Sequence, residues 1–488
     1  MGKGRKSITN RDATVTRRAL LQRASATLAA ASLPAVGPAV GRAAELTSPA
    51  MTRLSDYMSD AKGRELPAEV IEKAKHHILD TFAAMISGYQ LPGGRAAIQF
   101  ARAYGGSKIA TVAASNVLCG PIEAALANGV LAHADETDDS WPGGWHPGCN
   151  IVPAALATGE QFGISGGHFV RAVTLGYDIG ARVLTTLRPG VFDTHKSTHS
   201  IGGVFGSAAA AGCAAGLNAQ QMRWLLDYTA QQSSGIAAWD RDTDHIEKGF
   251  VFGGMPARSG VTSALLVQSG WTGVDDILSG DDNFLLANAP HGDTAALTDK
   301  LGERYEITRT SIKKWTVGSP IQGPLDALEI MLKKHPFEAD QVREVVVRMA
   351  PGSVVDNREM PDVCIQHMIA VMLIDKTATF RSAHDKARMQ DPAILRQRAK
   401  VRLDPGSAGA RPPLVAVTLN DGTRLAEDIA AVLGTPGNPM SRDQVVAKCR
   451  DLMTPVIGAA SSAKLIQTLL EIDNLKSIRA LRPLIQRV

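Results

Sequence analysis

The chain of 488 residues lacks the features that mark several large protein classes. Its five cysteines lie far apart and include no CxxC pair, which argues against a paired-cysteine metal site or a dense disulfide framework. Beyond the N-terminal region, no stretch reaches about 18 uninterrupted apolar residues, so we expect no membrane-spanning helix. There is no low-complexity tract and no obvious repeat, and 44% of the residues are hydrophobic. These features predict an ordinary globular protein.

The chain also lacks a strong excess of either charge. The formal net charge is +4, and residues 1–23 account for all of the excess, with seven basic side chains against one acidic side chain. The rest of the chain is close to neutral. A surface that binds nucleic acid normally needs a basic patch, so no nucleic-acid partner is expected.

The N-terminal region has the composition of an export signal. Its basic start is followed by the alanine-rich run ALLQRASATLAAASLPAVGPAV and then by small residues around 41–44. The segment TRRALL, residues 16–21, resembles the twin-arginine export pattern. We therefore predict a signal over residues 1–44 that is read by the twin-arginine export machinery, and a mature protein that is periplasmic and not bound to the membrane. The alternative is a disordered basic tail.

The remaining chain is long enough for two domains, because single hydrophobic cores stop growing near roughly 250–300 residues. From about residue 50 to 290 the apolar spacing is helical. Helices are predicted at 67–88, 120–134, 152–163, 167–185, 202–215, 219–231 and 256–269. Asn218 with Gln221, and Ser441 with Gln444, read as capping boxes.

Around residue 304 the apolar period changes from helical to alternating. Strands are predicted in RYEITRTSIKKW, QVREVVVRMA, AKVRLDP and PLVAVTLNDGTRLAED, and Asp421–Gly422 is a strong hairpin turn. Helices are expected at 324–335, 361–375, 392–398 and 442–487. The predicted fold class is therefore mainly α: a large all-helical domain, residues 45–303 and 433–488, with a smaller α+β domain inserted at 304–432.

One stretch concentrates the polar side chains of the helical region. HADETDDSWPGGWHPGCNIVPAALATGE, residues 133–160, joins two predicted helices and carries His133, Glu136, Asp138, Asp139 and His146. Polar residues on an irregular connection between apolar helices are where sites are often built. A capped and solvated loop is the alternative.

Three other polar segments have a similar setting beside glycines. They carry His195, Lys196 and His199; Asp240, Arg241, His245, Lys248 and Arg258; and Lys313 and Lys314. Cationic side chains next to glycine-rich turns and helix starts suit anions. Taken together, the four segments predict a pocket for a small polycarboxylate.

The histidines and carboxylates of residues 133–146 also raise the question of a metal. His133, Asp138, Asp139 and His146 are suitable ligand types. No HExxH or comparable fixed spacing accompanies them, however. We predict no metal and no other cofactor.

Five sequence blocks resemble the MmgE/PrpD family, which includes 2-methylcitrate dehydratase, cis-aconitate decarboxylase and iminodisuccinate epimerase. They are AHADETDDS with WHPGCNIVPAALATGE, GYDIGARV, HSIGGVFGSAAAAGCAAGLNAQQM, KGFVFGGMPARSGVTSALL and the lysine of KKWTVGSP. The resemblance covers about residues 50–485. It implies a helical domain with an α+β lid, catalysis without a metal, and a homodimer.

The resemblance also implies roles for individual residues. Glu136, Asp139 and Ser140 would lie by the pocket and His146 would be a catalytic histidine. Lys248 would be the basic residue before the glycine loop, and Lys314 would lie at the domain junction.

Three positions depart from the family pattern. Ser197 stands where relatives carry a histidine, with His195 and His199 on either side. Ile321–Gln322 replaces a Thr-His pair. A lid tyrosine is replaced near Ile369, with His367 close by. These departures leave room for a substrate and a reaction that differ from those of the named members.

These expectations combine into lyase chemistry at a carbon next to a carboxylate. Lys248, Lys314 and Arg258 would hold the developing charge, His146 would move the proton, and His195 or His199 would protonate the leaving hydroxyl. The predicted reaction is dehydration or hydration of a small hydroxy-polycarboxylate. Decarboxylation and epimerisation have the same first requirements. A periplasmic carboxylate-binding protein without catalysis is the rival hypothesis, motivated by the replaced histidine and tyrosine.

Overall fold

The computed structural model describes residues 47–191, 195–406 and 414–487, apart from the side chains of 188–191, and these residues are mainly helical. The predicted signal, residues 1–44, lies outside them. The α-helices are α1 (Pro49–Asp60), α2 (Ala68–Gly88), α3 (Pro92–Tyr104), α4 (Pro121–Ala132), α5 (Gly148–Phe162), α6 (Gly166–Val191), α7 (Thr198–Ala214), α8 (Ala219–Gln232), α9 (Ile246–Gly249), α10 (Met255–Gln268), α11 (Phe284–Asn288), α12 (Ser319–Lys334), α13 (Ile365–Asp375), α14 (Phe380–His384), α15 (Pro392–Arg398), α16 (Arg442–Ile457), α17 (Ala459–Leu470) and α18 (Arg482–Ile485). The strands are β1 (Ala110–Thr111), β2 (Leu118–Cys119), β3 (Val342–Val347), β4 (Val401–Leu403), β5 (Val415–Leu419) and β6 (Arg424–Glu427).

The predicted helix starts have a clear local cause. Asn218 and Gln221 form a reciprocal capping box at the start of α8, and Ser441 with Gln444 does the same for α16. Each pair satisfies two backbone N–H groups that would otherwise lack a partner. The prediction of both capping boxes is confirmed.

A four-stranded sheet has the order β4-β3-β5-β6. Strand β4 runs parallel to β3, whereas β5 is antiparallel to both β3 and β6. The β5–β6 hairpin turns at Asp421–Gly422, where Gly422 takes a φ of 92°. That backbone region favours glycine, which explains the turn signal in the sequence.

Residues 304–315 differ from the predicted strand. They form a short 3-10 helix, Glu306–Arg309, followed by a single bridge between Ser311 and Ser140. The backbone N–H of Glu306 donates to the buried carboxylate of Asp178 at 2.7 Å. The segment therefore packs among helices and finds no full strand partner, so its alternating pattern does not produce a strand.

The apolar side chains form two hydrophobic cores. The first contains residues between Met51 and Ile312 together with residues from Met440 to Ile485. The second lies between Trp315 and Val417 and packs α12 and α13 beside the four-stranded sheet. Residues 47–488 nevertheless form one compact unit. The boundaries predicted at 304 and 432 remain a prediction.

The backbones of Gly253 and Gly129 lie very close to each other, next to the cavity described below. A Cβ added to Gly253 would overlap the carbonyl oxygen of Gly129 in α4. Gly253 belongs to a π-helical turn, Phe250–Gly254, between α9 and α10. Turns of this kind are frequent at functional sites. The two glycines therefore let the π-helical turn lie against the end of α4.

One helical stretch within the described residues, Ile246–Gln268, is long and apolar enough to cross a membrane. Its most apolar window is 67% buried in the protein. That degree of burial is also typical of a core helix.

The five cysteines are all buried and unpaired. Burial raises the pKa of the Cys119 and Cys213 thiols to about 12, so both stay protonated at neutral pH. Buried, protonated thiols are chemically inert, and Cys213 is a small residue of the hydrophobic core.

Candidate active site

A cavity of about 390 Å³ lies between residues of the helical region and the segment 318–363. One wall comes from the connection between α4 and α5, from α7 and from the turn around α9. The opposite wall comes from residues 318–320 and 354–363. The polar side chains that line it are Glu136, Ser140, His146, His199, Asp240, Lys248, Ser319 and Arg358.

Glu136 and two lysines form a buried ionic cluster at the base of this cavity. The Lys248 ammonium donates to Glu136 Oε1, and Lys313 Nζ lies 2.8 Å from the Glu136 carbonyl and 3.3 Å from its Oε2. Burial opposes ionisation of Glu136, but the two lysines outweigh it and hold its pKa well below its usual range. Burial opposes protonation of Lys313, but the charges of Glu136 and Asp138 raise its pKa. Glu136 and Lys313 are therefore charged at neutral pH.

Asp138 joins two histidine rings. Its Oδ1 lies 3.0 Å from His133 Nδ1 and 3.2 Å from His146 Nδ1. Burial opposes ionisation of Asp138, but the two histidines hold its pKa well below the usual range. Burial also lowers the pKa of His133 to about 4 against the opposing effect of Asp138, so that ring is neutral. His146 is the ring of this pair that lines the cavity.

His199 stacks on Phe252, with ring centroids 3.7 Å apart, and meets the edge of Trp239. Its centroid lies 5.3 Å from that of His146. Burial, followed by His146, His133 and Lys248, holds the pKa of His199 well below its usual range. A neutral His199 ring therefore lies beside the His146 ring, which Asp138 orients.

The structure brings together five of the nine site residues predicted from the sequence. Glu136, Ser140, His146, His199 and Lys248 all line the cavity. The Ser140 backbone pairs with Ser311 through hydrogen bonds of 2.9 and 2.8 Å. That bridge carries the chain directly into Lys313 and so positions the lysine under Glu136.

The other four predicted residues lie outside the cavity lining. His195 is exposed and adopts a positive φ of 55°. Arg258 is exposed on α10. Lys314 Nζ pairs with Glu329 at 2.7 Å and lies over the Trp315 ring.

Asp139, the fourth of these, is fully buried behind the cavity. It accepts hydrogen bonds from Tyr177 Oη at 2.6 Å and from the Gly148 backbone at 2.8 Å, and it lies 2.6 Å from His77 Nδ1. These contacts tie the connection to the start of α5. In this structure Asp139 supports the site and does not face it.

The structure adds residues that the sequence analysis did not place at the site. Arg358 lines the opposite wall and donates to the Asp240 backbone. Trp239 and Phe252 supply the aromatic surface around His199. No local motif marks them, although Asp240 and Lys313 belong to polar segments that the sequence identifies. Lys313, rather than its neighbour Lys314, enters the ionic cluster.

Two of the three departures from the family pattern have hydrogen-bonding roles, and the third, near Ile369, lies in a buried helix. Ser197 caps α7. The Gln322 side chain bonds the backbone of Trp315 and Val317 and so braces the chain beyond Lys313. His367 is fully buried in α13, and burial lowers its pKa to about 4. None of the three lines the cavity.

A second buried ionic group links the two regions behind the site. His384 Nε2 lies 3.0 Å from Asp135, and His245 Nε2 lies 3.0 Å from Asp362. Burial opposes protonation of His384, but its hydrogen bond to Asp135 and the charges of Asp135 and Asp362 raise its pKa to about 9. His384 is therefore a cation at neutral pH and pairs across the two regions.

Two groups of buried side chains have a spacing that could hold a metal ion. They are His133 with Asp138 and Cys149, and His133 with Glu136 and His245; within each group the ligand atoms lie within 4.8 Å of one another. Lys248 and Lys313 already neutralise Glu136, however, and Asp138 is bonded to two histidines. A dication would lie beside two ammonium groups, so the donor set fits a metal poorly. The prediction of a site without a metal is retained.

Two family models match this chain. Residues 52–295 match the model of the MmgE/PrpD N-terminal domain, and residues 315–472 match that of the MmgE/PrpD C-terminal domain. Together the two matches include every cavity-lining residue.

Curated relatives are similar over most of their length. A cis-aconitate decarboxylase-like protein of Aspergillus oryzae is 23% identical over 474 residues, which cover 88% of this chain and 96% of the relative. The cis-aconitate decarboxylase of Aspergillus terreus is 22% identical, covering 88% and 94%. The human cis-aconitate decarboxylase is 23% identical, covering 86% and 91%.

Proposed function

Because the chain belongs to the MmgE/PrpD family, we propose that it is a metal-free lyase that removes water from, or adds water to, a small hydroxy-polycarboxylate. The family includes both dehydratases and decarboxylases, and either reaction changes a bond at a carbon next to a carboxylate. Such a step needs a group that moves a proton and fixed positive charge that stabilises the resulting carbanion.

The observation that carries the proposal is the contact between Asp138 and His146. The ionised Asp138 accepts a hydrogen bond from His146 Nδ1 at 3.2 Å. This bond fixes the ring tautomer and leaves Nε2 as the basic nitrogen. His146 also lines the cavity. It can therefore take a proton from a substrate carbon and return it to the leaving hydroxyl, which departs as water.

Lys248 supplies the fixed charge of this mechanism. Its ammonium lines the cavity and is held by Glu136. A prearranged cation of this kind stabilises an enediolate by several kcal/mol, because it costs no reorganisation during the reaction. His199, kept neutral, donates a hydrogen bond through its N–H and so assists the leaving hydroxyl.

Decarboxylation is the second candidate reaction. The relatives of Aspergillus terreus and human origin are named cis-aconitate decarboxylases. In this chain, Trp239 and Phe252 form an apolar surface beside His199. An apolar surface removes water from a carboxylate and favours its loss as carbon dioxide. For this reaction His146 would have to start as the imidazolium, and its Nε2 proton would go to the carbanion that the lost carbon dioxide leaves behind.

Product analysis separates these reactions. Di- and tricarboxylates, with and without hydroxyl groups, are first screened by thermal shift, and each acid that stabilises the protein is then incubated and followed by NMR. Loss or gain of water supports the proposal, and loss of carbon dioxide supports the second candidate. Binding without turnover of any acid would favour a carboxylate-binding protein instead.

We also propose that the predicted α+β domain, residues 304–432, acts as a lid over the cavity. Residues 354–363 form one wall of the cavity, and Arg358 and His384 connect this region to Asp240 and Asp135. Closing such a junction would exclude water from the reaction. If the region is a lid, substrate should slow hydrogen exchange in 354–363; unchanged exchange would contradict the proposal.

The protein is further proposed to be a homodimer, on the basis of the family resemblance. Light scattering should then give a mass of twice the chain mass, which is 51.6 kDa before any signal removal. A monomeric mass would contradict the proposal.

A further inference from the structure

The proposed reactive groups lie on one wall of the cavity, beside aromatic side chains such as Trp239 and Phe252. The reactive groups Glu136, His146, His199 and Lys248 all come from the helical region. The facing wall is mainly apolar and is formed by Pro320, Val354, Val355, Met360 and Val363. Gly318 holds this wall together: it donates a backbone hydrogen bond to Asp362, and a Cβ at Gly318 would contact Val355 and Val363 at 3.6 Å.

The cavity is large enough to hold a ligand that also contacts the apolar wall. Its volume of about 390 Å³ lies within the range of roughly 300–1,000 Å³ that holds drug-sized ligands. A small polycarboxylate without further substituents would place polar atoms or trapped water against these five hydrophobic side chains. Polar groups that lose water without gaining a partner are costly. The wall therefore favours a carbon substituent.

The charges that line the cavity are balanced among the described residues. Lys248 contacts Glu136, and Arg358 lies 3.6 Å from Asp240 Oδ1. Lys313 lies behind Glu136 and is 2% exposed. Arg258 and Lys314 lie outside the lining. Two cations, one on each wall, are available to a ligand, and each already has an acidic neighbour.

A tricarboxylate would bring three further negative charges into this balanced setting. Burying charges without equal compensation costs several kcal/mol per ion. One carboxylate can bind at Lys248 and one at Arg358, whereas a third would meet the apolar wall.

From these observations we infer that the substrate is a hydroxydicarboxylate with an apolar alkyl or aryl arm that contacts Val354, Val355, Met360 and Val363. The inference rests on the proposed function, because it assumes that this cavity holds the substrate. It adds the number of carboxylates and the nature of the substituent.

A series of ligands with one variable group tests this inference. Isothermal titration compares malate, 2-methylmalate, 2-butylmalate and 2-benzylmalate with citrate, which replaces the apolar arm by a third carboxylate. The dissociation constant should fall about fourfold for each methylene that enters the apolar wall. 2-Benzylmalate should bind at least about tenfold more tightly than citrate.

Val354 offers a variant that keeps the fold. It lines the cavity but is 53% exposed, so Val354→Lys does not bury a charge. This variant should shift the preference toward citrate by about tenfold or more. Val274 is 55% exposed and lies outside the cavity lining, so Val274→Lys is the matched control and should keep the wild-type preference.

Two results would overturn the inference: citrate binding as tightly as 2-benzylmalate, or an unchanged preference in Val354→Lys. Turnover followed by NMR separates this failure from that of the proposed function. Turnover of several acids without any preference for an apolar arm leaves the lyase proposal standing and rejects the inference. A clear apolar preference in binding without turnover of any ligand rejects the lyase proposal and supports only the ligand preference of the cavity.

Discussion

Adjacent carboxylates in the connection between α4 and α5 have different tasks. Asp138 contacts the rings of His133 and His146, whereas Asp139 contacts Tyr177 and the backbone of Gly148. Both are fully buried. The first orients a group that faces the cavity, and the second anchors the start of a helix.

Substituting these two residues should therefore have opposite consequences. Asp138→Asn should lower kcat by about a hundredfold or more, because the amide no longer fixes the basic tautomer of His146. Asp139→Asn should mainly lower the melting temperature, because a buried carboxylate with several hydrogen-bond partners is lost. Steady-state kinetics measures kcat and calorimetry measures the melting temperature of both variants. Equal losses of activity at equal melting temperatures would contradict this expectation.

Lys313 and Lys314 form a second adjacent pair. Lys313 is buried against Glu136 and Asp138, whereas the half-buried Lys314 pairs with Glu329. Lys313→Ala should destabilise the protein by about 3–5 kcal/mol, because it breaks a buried ionic cluster. Lys314→Ala should cost about 0–1 kcal/mol and leave ligand affinity unchanged. Titration calorimetry and melting temperatures test both; weaker binding only in Lys314→Ala would restore the sequence prediction for that residue.

The sequence groups some of the cavity-lining residues but not others. The polar block at 133–146 identifies Glu136, Ser140 and His146, because these residues share one short connection. The sequence does not distinguish Lys313 from Lys314, because the direction of a side chain on this irregular segment depends on the Ser140–Ser311 bridge. Arg358 comes from a distant part of the chain, and its proximity to Asp240 arises only from folding.

At the scale of secondary-structure elements, α14 is held against the α4–α5 connection by one charged histidine. His384 Nε2 contacts Asp135 at 3.0 Å and lies 3.9 Å from Asp362. His245 also faces Asp362 from α9. The connection between the two regions therefore depends on His384 keeping its proton.

This contact predicts a pH dependence of stability. The pKa of His384 is about 9 in the folded protein, above the value of about 6.5 expected in the unfolded chain. Its stabilisation, roughly 3 kcal/mol, is complete below pH 6.5 and is lost as the pH rises through 9. The melting temperature of wild type should exceed that of His384→Asn most at pH 6, and the difference should shrink by pH 10.

An exposed histidine provides the control for this measurement. His291→Asn should differ from wild type equally little at every pH, because His291 is exposed. A constant difference between wild type and His384→Asn from pH 6 to pH 10 would show that His384 is not a charged link.

The elements themselves follow the sequence where local signals agree. Capping boxes and the Asp421–Gly422 turn depend on residues within a few positions of each other, so they are predictable. Residues 304–315 alternate like a strand, yet Glu306 binds Asp178 and the segment becomes a 3-10 turn. The contact with Asp178, which is distant in the sequence, determines this conformation, so the local pattern cannot predict it.

At the scale of the whole molecule, the sequence predicts where the protein works. Residues 1–44 carry the twin arginine, Arg17 and Arg18, before an apolar run. Because a receptor reads the arginine pair itself, Arg17→Lys with Arg18→Lys should leave an uncleaved precursor in the cytoplasm. Cell fractionation and immunoblotting measure this. Arg5→Lys with Arg11→Lys keeps the pair and should be exported normally; normal export of the twin-lysine variant would exclude the route.

The central claim is that His146 moves a proton at a carbon next to a carboxylate. Proton NMR in deuterium oxide tests it most directly, with each acid that stabilises the protein against heat. The wild-type protein should turn over at least one such acid and introduce deuterium at the carbon next to the carboxylate. His146→Ala should do so at least about a hundredfold more slowly at an unchanged melting temperature. Stable binding without turnover or exchange in the wild type, or unchanged exchange in His146→Ala, would contradict the account.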